Sequence, residues 1–186
     1  MAKLDETRPF LALGIAVLTI SDSRALAEDK SGNVLAERIE GAGHRLEDRR
    51  IVPDDVERIR AAVGRWIADP KIDVVITTGG TGFTGRDVTP EALEPLFEKR
   101  MDGFSVAFHM ISHEKIGVST VQSRATAGVA GSTFVFALPG SPGACRDAWD
   151  GILAHQLDYR AMPCNFVEIL PRIDEHLKRG KLRGAG

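Results

Sequence analysis

The segment Asp73-Val74-Val75-Ile76-Thr77-Thr78-Gly79-Gly80-Thr81-Gly82-Phe83-Thr84-Gly85-Arg86-Asp87-Val88-Thr89-Pro90-Glu91 restricts the fold of this chain more than any other. Val74 to Ile76 form a continuous apolar run bounded by turn residues, which reads as a buried strand of a parallel sheet. The run ends in Gly79-Gly80-Thr81-Gly82, where the missing β-carbons allow positive φ and close approach of a ligand to the backbone. Successive exposed N–H groups in such a turn form a concave nest for anions, phosphate above all. The hydroxyls of Thr78 and Thr81 add donors. Asp87 follows with a carboxylate that phosphates would repel unless a cation lay between them. Thr89-Pro90-Glu91 then opens a helix, with Thr89 as N-cap and Pro90 in the first turn. The helix start would turn its positive dipole end towards the same anion.

The glycine turn is neither the Walker pattern, since no Gly-Lys-Ser/Thr follows, nor the dinucleotide fingerprint Gly-x-Gly-x-x-Gly. By itself it could be a plain strand-to-helix turn. The acid, threonine and proline that follow it within a few residues point instead to a phosphate-binding site with a metal-capable carboxylate.

Composition narrows the class. A chain of 186 residues with 43% hydrophobic and 27% charged residues fits one globular domain with a substantial core. We expect a single domain over residues 1–186, with the core at about 10–157 and a C-terminal extension over 158–186. A net charge of −2 gives no reason to expect nucleic acid or an anionic membrane as partner. The basic residues Lys178, Arg179, Lys181 and Arg183 stand among glycines and read as a solvated tail. Residues 10–20, the longest apolar stretch, are too short to span a bilayer, and no signal-peptide pattern precedes them. A cytoplasmic location is therefore expected. Cys145 and Cys164 match no zinc or redox spacing and read as reduced, mostly buried thiols. His109 and His113 stand at i and i+4, but without the glutamate of a His-Glu-x-x-His motif a metal clasp there is disfavoured.

Strand-like and helix-like segments alternate, which predicts an α/β fold, three-layer α/β/α with a mainly parallel central sheet. Strands are expected over 10–20, 45–52, 72–77 and 132–138. Helices are expected over 31–42, 54–68, 89–99, 103–113, 121–129 and 142–157, with Asp54 or Asp55 capping the second. Ligands of open parallel sheets gather outside the carboxyl ends of the strands, at a topological switch point. Ser21-Asp22-Ser23, the glycine turn and Pro139-Gly140-Ser141-Pro142 should therefore face one cleft.

The whole string through Glu91 resembles the signature of the MogA/MoaB family, the molybdopterin adenylyltransferases of molybdenum cofactor biosynthesis. Thr19-Ile20-Ser21-Asp22-Ser23-Arg24, Asp29-Lys30-Ser31-Gly32, Val52-Pro53-Asp54-Asp55, Ser123-Arg124 and Leu138-Pro139-Gly140-Ser141-Pro142 resemble further family elements in the family's order. The segment from Gln156 to Pro171 resembles the MoaB branch. The resemblance implies a molybdopterin-binding-like fold and transfer of AMP from ATP to the terminal phosphate of molybdopterin, releasing pyrophosphate, with Mg²⁺ as the cation. It implies Asp87 as metal ligand and Asp54 as second ligand or nucleotide-orienting group; a helix cap is the alternative for Asp54. Thr78, Gly79, Gly80, Thr81, Gly82 and Thr89 would serve the nucleotide phosphates. Ser123 and Arg124 would meet the anionic end of the substrate, unless Arg124 is a surface ion-pair partner. Pro139, Gly140 and Ser141 would face the pterin, or form a rigid turn. Ser21 and Ser23 would add hydroxyl contacts, or stabilise their turn.

Gly85 stands where many family adenylyltransferases have proline, and it should loosen the loop. Arg86, Asp87 and Thr89, which MoaB-type members often alter, are retained here and favour an active enzyme. The alternatives are a catalytically silent molybdopterin-binding or scaffold protein of the same pathway and an unrelated nucleotide-binding module. The resemblance also implies a homo-trimer or a homo-hexamer built as a dimer of trimers, with other molybdenum cofactor biosynthesis proteins as further candidate partners. Cys164, Phe166, Val167, Ile169 and Leu170 form an apolar cluster that would either serve such an interface or fold back on the domain.

Overall fold

A computed structural model describes residues 3–22 and 28–175. Ser23, Arg24 and the basic tail from Lys178 onward lie outside the described residues. The strands are β1 (Lys3–Leu4), β2 (Gly14–Ile20), β3 (Arg45–Val52), β4 (Val74–Thr78), β5 (Lys99–Arg100), β6 (Thr126–Ala130), β7 (Thr133–Leu138) and β8 (Ala161–Met162). The helices are α1 (Lys30–Gly41), α2 (Val56–Ile67), α3 (Thr89–Leu93), α4 (Asp102–Ile116) and α5 (Pro142–Ala148), the last continued by a π turn over Trp149–Leu153. A six-stranded sheet has the order β3-β2-β4-β7-β6-β5, while β1 and β8 form a separate antiparallel pair.

β3, β2, β4 and β7 are parallel, and β6 and β5 close the far edge antiparallel. Every residue of β2, β4 and β7 is buried, as expected for strands covered on both faces. On one face Ile15, Val17, Ile76, Phe134 and Phe136 meet Leu35 and Ile39 of α1, Phe104 and Phe108 of α4, and Trp149. On the other, Ala16, Leu18, Val75 and Val135 meet Ile59, Val63 and Trp66 of α2 and Leu93 of α3. These are the three layers that the alternating pattern predicted.

The structure corrects several local expectations. β2 starts at Gly14 rather than at residue 10, because its partner strands reach no further: Gly14 pairs with Arg45, and its N–H donates to Asp73 Oδ2 at 2.8 Å. α3 ends at Leu93 and passes into a 3-10 turn over Glu94–Leu96, since Pro95 cannot continue an α-helix and restricts the residue before it. α2 is capped by Asp55, whose side chain accepts from the Arg58 amide, and not by Asp54. The expected helix over 121–129 is instead a 3-10 turn, Gly117–Gln122, followed by β6. The small residues of Thr126–Ala130 carry little strand signal of their own. Their conformation comes from pairing with β7 and from Gly128, where a β-carbon would collide with the Phe97 ring packed on the bare backbone.

The C-terminal segment folds back on its own sheet. The Phe166 ring lies 4.8 Å from that of Phe134, and Val167 and Ile173 belong to the core. The core therefore includes residues beyond 157, and Phe166, Val167 and Leu170 of the apolar cluster pack on the domain while Ile169 stays exposed. Cys164 is exposed, contrary to the expectation of two buried thiols, whereas Cys145 is buried.

Candidate functional site

β2 passes to β3 on one side of the sheet and to β4 on the other, so the switch point lies between β2 and β4. The turns after β2, β4 and β7 converge there. They enclose a cleft of about 610 Å³ lined by Ser21, Asp54, Gly79 to Gly82, Arg86, Asp87, Gln122, Ser123 and Pro139 to Pro142.

The glycine loop owes its shape to two consecutive left-handed residues, Gly79 at φ 110° and Gly80 at φ 61°. A β-carbon on Gly79 would strike the Ile20 carbonyl, and one on Gly80 would strike Thr89 Oγ1 and come within 2.9 Å of Asp54 Oδ1. The Gly79 amide is bound to the Leu138 carbonyl at 3.0 Å. Among the described residues no hydrogen bond engages the N–H groups of Gly80 and Thr81, which leaves them available to an anion.

Several expected ligand contacts are supports behind the loop. Thr89 is buried; its hydroxyl donates to the Gly79 carbonyl at 2.8 Å and its amide to Gly80 at 2.9 Å. It is not an N-cap: that position is Val88, which makes no side-chain cap bond. A five-residue helix with its first amide turned inward adds little dipole to the cleft. Thr78 is likewise buried, with its hydroxyl donating to the Pro139 carbonyl at 2.9 Å. Arg124 donates to the carbonyls of Gly82 and Asp87, each at 2.8 Å, pairs with Glu91, and lies 5.4 Å from the Phe83 ring centroid. Its guanidinium props the loop from outside the cleft; of the two roles offered by the sequence, substrate contact or ion-pair partner, the pairing with Glu91 matches the second. Ser141 caps α5 by accepting from the Ala144 amide at 3.1 Å while it also lines the cleft.

The two acids differ electrostatically. Asp87 Oδ2 accepts from the Thr84 hydroxyl at 2.6 Å and the Thr84 amide at 2.9 Å, and these bonds hold its carboxyl below the usual range. Asp54 is pushed up, first by burial and then by the nearby Asp22 carboxylate, with Asp87 adding to the effect. A β-carbon on Gly82 would lie 2.8 Å from Asp87 Oδ2. Both carboxylates thus stand against the glycine loop, a donor set suited to a hard divalent cation shared with phosphate oxygens. Among the described residues no three His, Cys, Asp or Glu side chains form a ready-made metal cage. Mg²⁺ needs none, since it commonly takes one or two carboxylates and completes its shell with phosphates and water. His109 places Nδ1 at 2.7 Å from the Ser105 carbonyl and Nε2 at 3.1 Å from that of Ser123, so it is not half of a metal clasp.

Sequence reading took Arg86 as a retained motif residue and Asp22 as part of a turn facing the cleft, gave neither a contact of its own, and did not name Gln122. Arg86 and Gln122 line the cleft, and Asp22 binds Arg86 through three hydrogen bonds of 2.6–3.0 Å. The signal for Arg86 was its place beside Asp87 in the loop; the pairing across 64 residues had none. A larger groove of about 710 Å³ lies behind the loop, but both its arginines are already paired, Arg100 with Glu94 and Asp102 and Arg124 with Glu91.

Fold and cleft together define an α/β protein with a candidate ligand cleft at the carboxyl ends of its parallel strands. The family described as "Probable molybdopterin binding domain" matches residues 16–159, and the chain belongs to it. It is 50% identical over 157 residues to Molybdenum cofactor biosynthesis protein B of Escherichia coli K12, covering 84% of this chain and 92% of that one. Among solved structures it resembles a Molybdenum cofactor biosynthesis protein B (TM-score 0.77, 38% identity, 92% of this chain and 99% of that one). It also resembles the tungsten cofactor synthesizing protein MoaB from Pyrococcus furiosus (TM-score 0.74, 34% identity, 88% and 98%).

Proposed function

We propose that this chain acts in molybdenum cofactor biosynthesis by transferring AMP from ATP to the terminal phosphate of molybdopterin. The observation that carries the reading is the cleft that sets the Gly80 and Thr81 amides beside Asp54 and Asp87. An oxygen of the molybdopterin phosphate attacks the α-phosphorus of ATP, the bond to the β-phosphate oxygen breaks, and pyrophosphate leaves. Such a transfer asks the protein for alignment and charge stabilisation rather than for a covalent intermediate. The glycine loop receives the nucleotide phosphates. Ser123 and the turn from Pro139 to Ser141 face the molybdopterin side, and Ser21 borders both. Asp87 and Asp54 would hold Mg²⁺, which would relieve the repulsion between carboxylates and phosphates and stabilise charge on the transferred group.

Family resemblance supports assembly into a trimer or a hexamer. The apolar surface available for it is the outer side of α4 and the turn after it, where Val106, Met110, Val118 and Val121 are all at least 60% exposed.

The test is to supply ATP, Mg²⁺ and molybdopterin to the purified protein and measure adenylylated product and pyrophosphate. Asp87→Asn should fold normally and lose turnover by about 10²-fold or more, the scale of losing charge stabilisation at a transferring group. Near-normal turnover in that variant would reject the assignment. Ligand binding by wild type without any turnover would leave the silent binding protein as the reading.

A further inference from the structure

Arg86 is the one cation among the described residues that line the cleft. Its guanidinium is engaged by Asp22: Nε donates to Oδ2 at 3.0 Å, and Nη2 donates to Oδ1 at 2.7 Å and to Oδ2 at 2.6 Å. The two residues come from different turns, Asp22 after β2 and Arg86 in the loop after β4, so the pair bridges the switch point. Asp22 Oδ1 also accepts from the Asp54 amide at 3.2 Å, which ties a third turn to the same carboxylate.

Both side chains are largely in water, Arg86 at 66% and Asp22 at 44% exposure. Ion pairs so exposed are weakly held. A di- or triphosphate carries more charge than a carboxylate and likewise accepts the guanidinium at two points. It would also be anchored by the Gly80 and Thr81 amides, which Asp22 cannot use.

We propose that Asp22 and Arg86 form an exchangeable latch, in which Arg86 leaves Asp22 to bind the phosphates of the nucleotide or of the released pyrophosphate. This deepens the proposed function by naming the cation that receives the phosphate chain and the acid that competes with phosphate for it. Only the fraction of molecules with Arg86 free is ready to bind, so apparent affinity is reduced by that fraction. Asp22 thereby sets how tightly the cleft holds pyrophosphate, and so how readily product leaves.

The test is a double-mutant cycle read by calorimetric binding of Mg-pyrophosphate, with no molybdopterin present. Arg86→Gln should weaken binding by about tenfold or more, as expected for loss of a charge-assisted bond. Asp22→Asn should tighten it severalfold in the wild-type background and change it little in the Arg86→Gln background, because its effect runs through Arg86. Equal tightening in both backgrounds would show that Asp22 acts only by its field, and would overturn the latch while leaving the proposed function standing. No change on Arg86→Gln would overturn it as well. Failure of wild type to bind pyrophosphate at all would reject the phosphate cleft, and the latch with it. Both positions are exposed, so the variants are expected to fold.

Discussion

At Gly80 the demands of binding and of folding fall on one residue. Its φ of 61° and the collision of any β-carbon with Thr89 Oγ1 mean that Gly80→Val should lose ATP binding and also cost stability. Left-handed strain alone is about 1–3 kcal/mol. Gly85 is the internal control. It has no positive φ and open space around its β-carbon position, so Gly85→Val should unfold within a degree or two of wild type, while Gly80→Val melts several degrees lower. Equal melting temperatures for the two would refute the structural role of the turn. His44 makes a second residue-scale prediction. It is buried, its Nδ1 accepts from the Leu13 amide at 3.2 Å, and burial pushes its pKa below 6.5, with Arg45 acting the same way and Asp158 opposing. The unfolded chain therefore takes up the proton first as pH falls. The contribution of His44 is fully present above the unfolded value and is lost as pH drops through the folded one. Melting temperature followed from about pH 7 to pH 5 should fall in wild type and fall less steeply in His44→Phe. Parallel curves would exclude His44 as the titrating group.

At the scale of elements, the turn from Pro139 to Pro142 joins β7 to α5 and serves both fold and cleft. Ser141→Ala removes an N-cap and should cost about 0.5–2 kcal/mol in chemical denaturation. If the serine also meets molybdopterin, affinity for that ligand should fall more than affinity for ATP. Equal losses would make Ser141 structural only. The strands β2, β4 and β7 were legible because each is a continuous apolar run followed by a turn. β6 was not, since Ala125 to Ala130 has neither alternation nor branched residues in number, and only its partner β7 and the ring of Phe97 hold it extended. α3 could have been shortened on sight of Pro95.

At the scale of the whole molecule the proposal concerns assembly. Phe166, Val167 and Leu170 pack on the domain itself, so truncation after Arg160 would strip the core rather than dissolve an interface. The apolar surface of α4 and its following turn is the better target. Light scattering should report three or six subunits for the intact chain, and joint Met110→Asp and Val118→Asp should lower that number without lowering the melting temperature of the subunit. A monodisperse monomer of the intact chain would defeat the proposal.

The sequence by itself determined the layered α/β architecture, the buried parallel strands and the glycine loop with Asp87. Each of these is written in contiguous residues, as apolar runs, turn chemistry and short spacing. Only the tertiary structure decided that Thr89, Thr78 and Arg124 stand behind the loop, that Asp54 is free of capping while Asp55 performs it, and that Arg86 meets Asp22. Those outcomes depend on which turns the sheet order brings together. A side chain's direction across 64 residues of chain is fixed by packing, which no local pattern encodes.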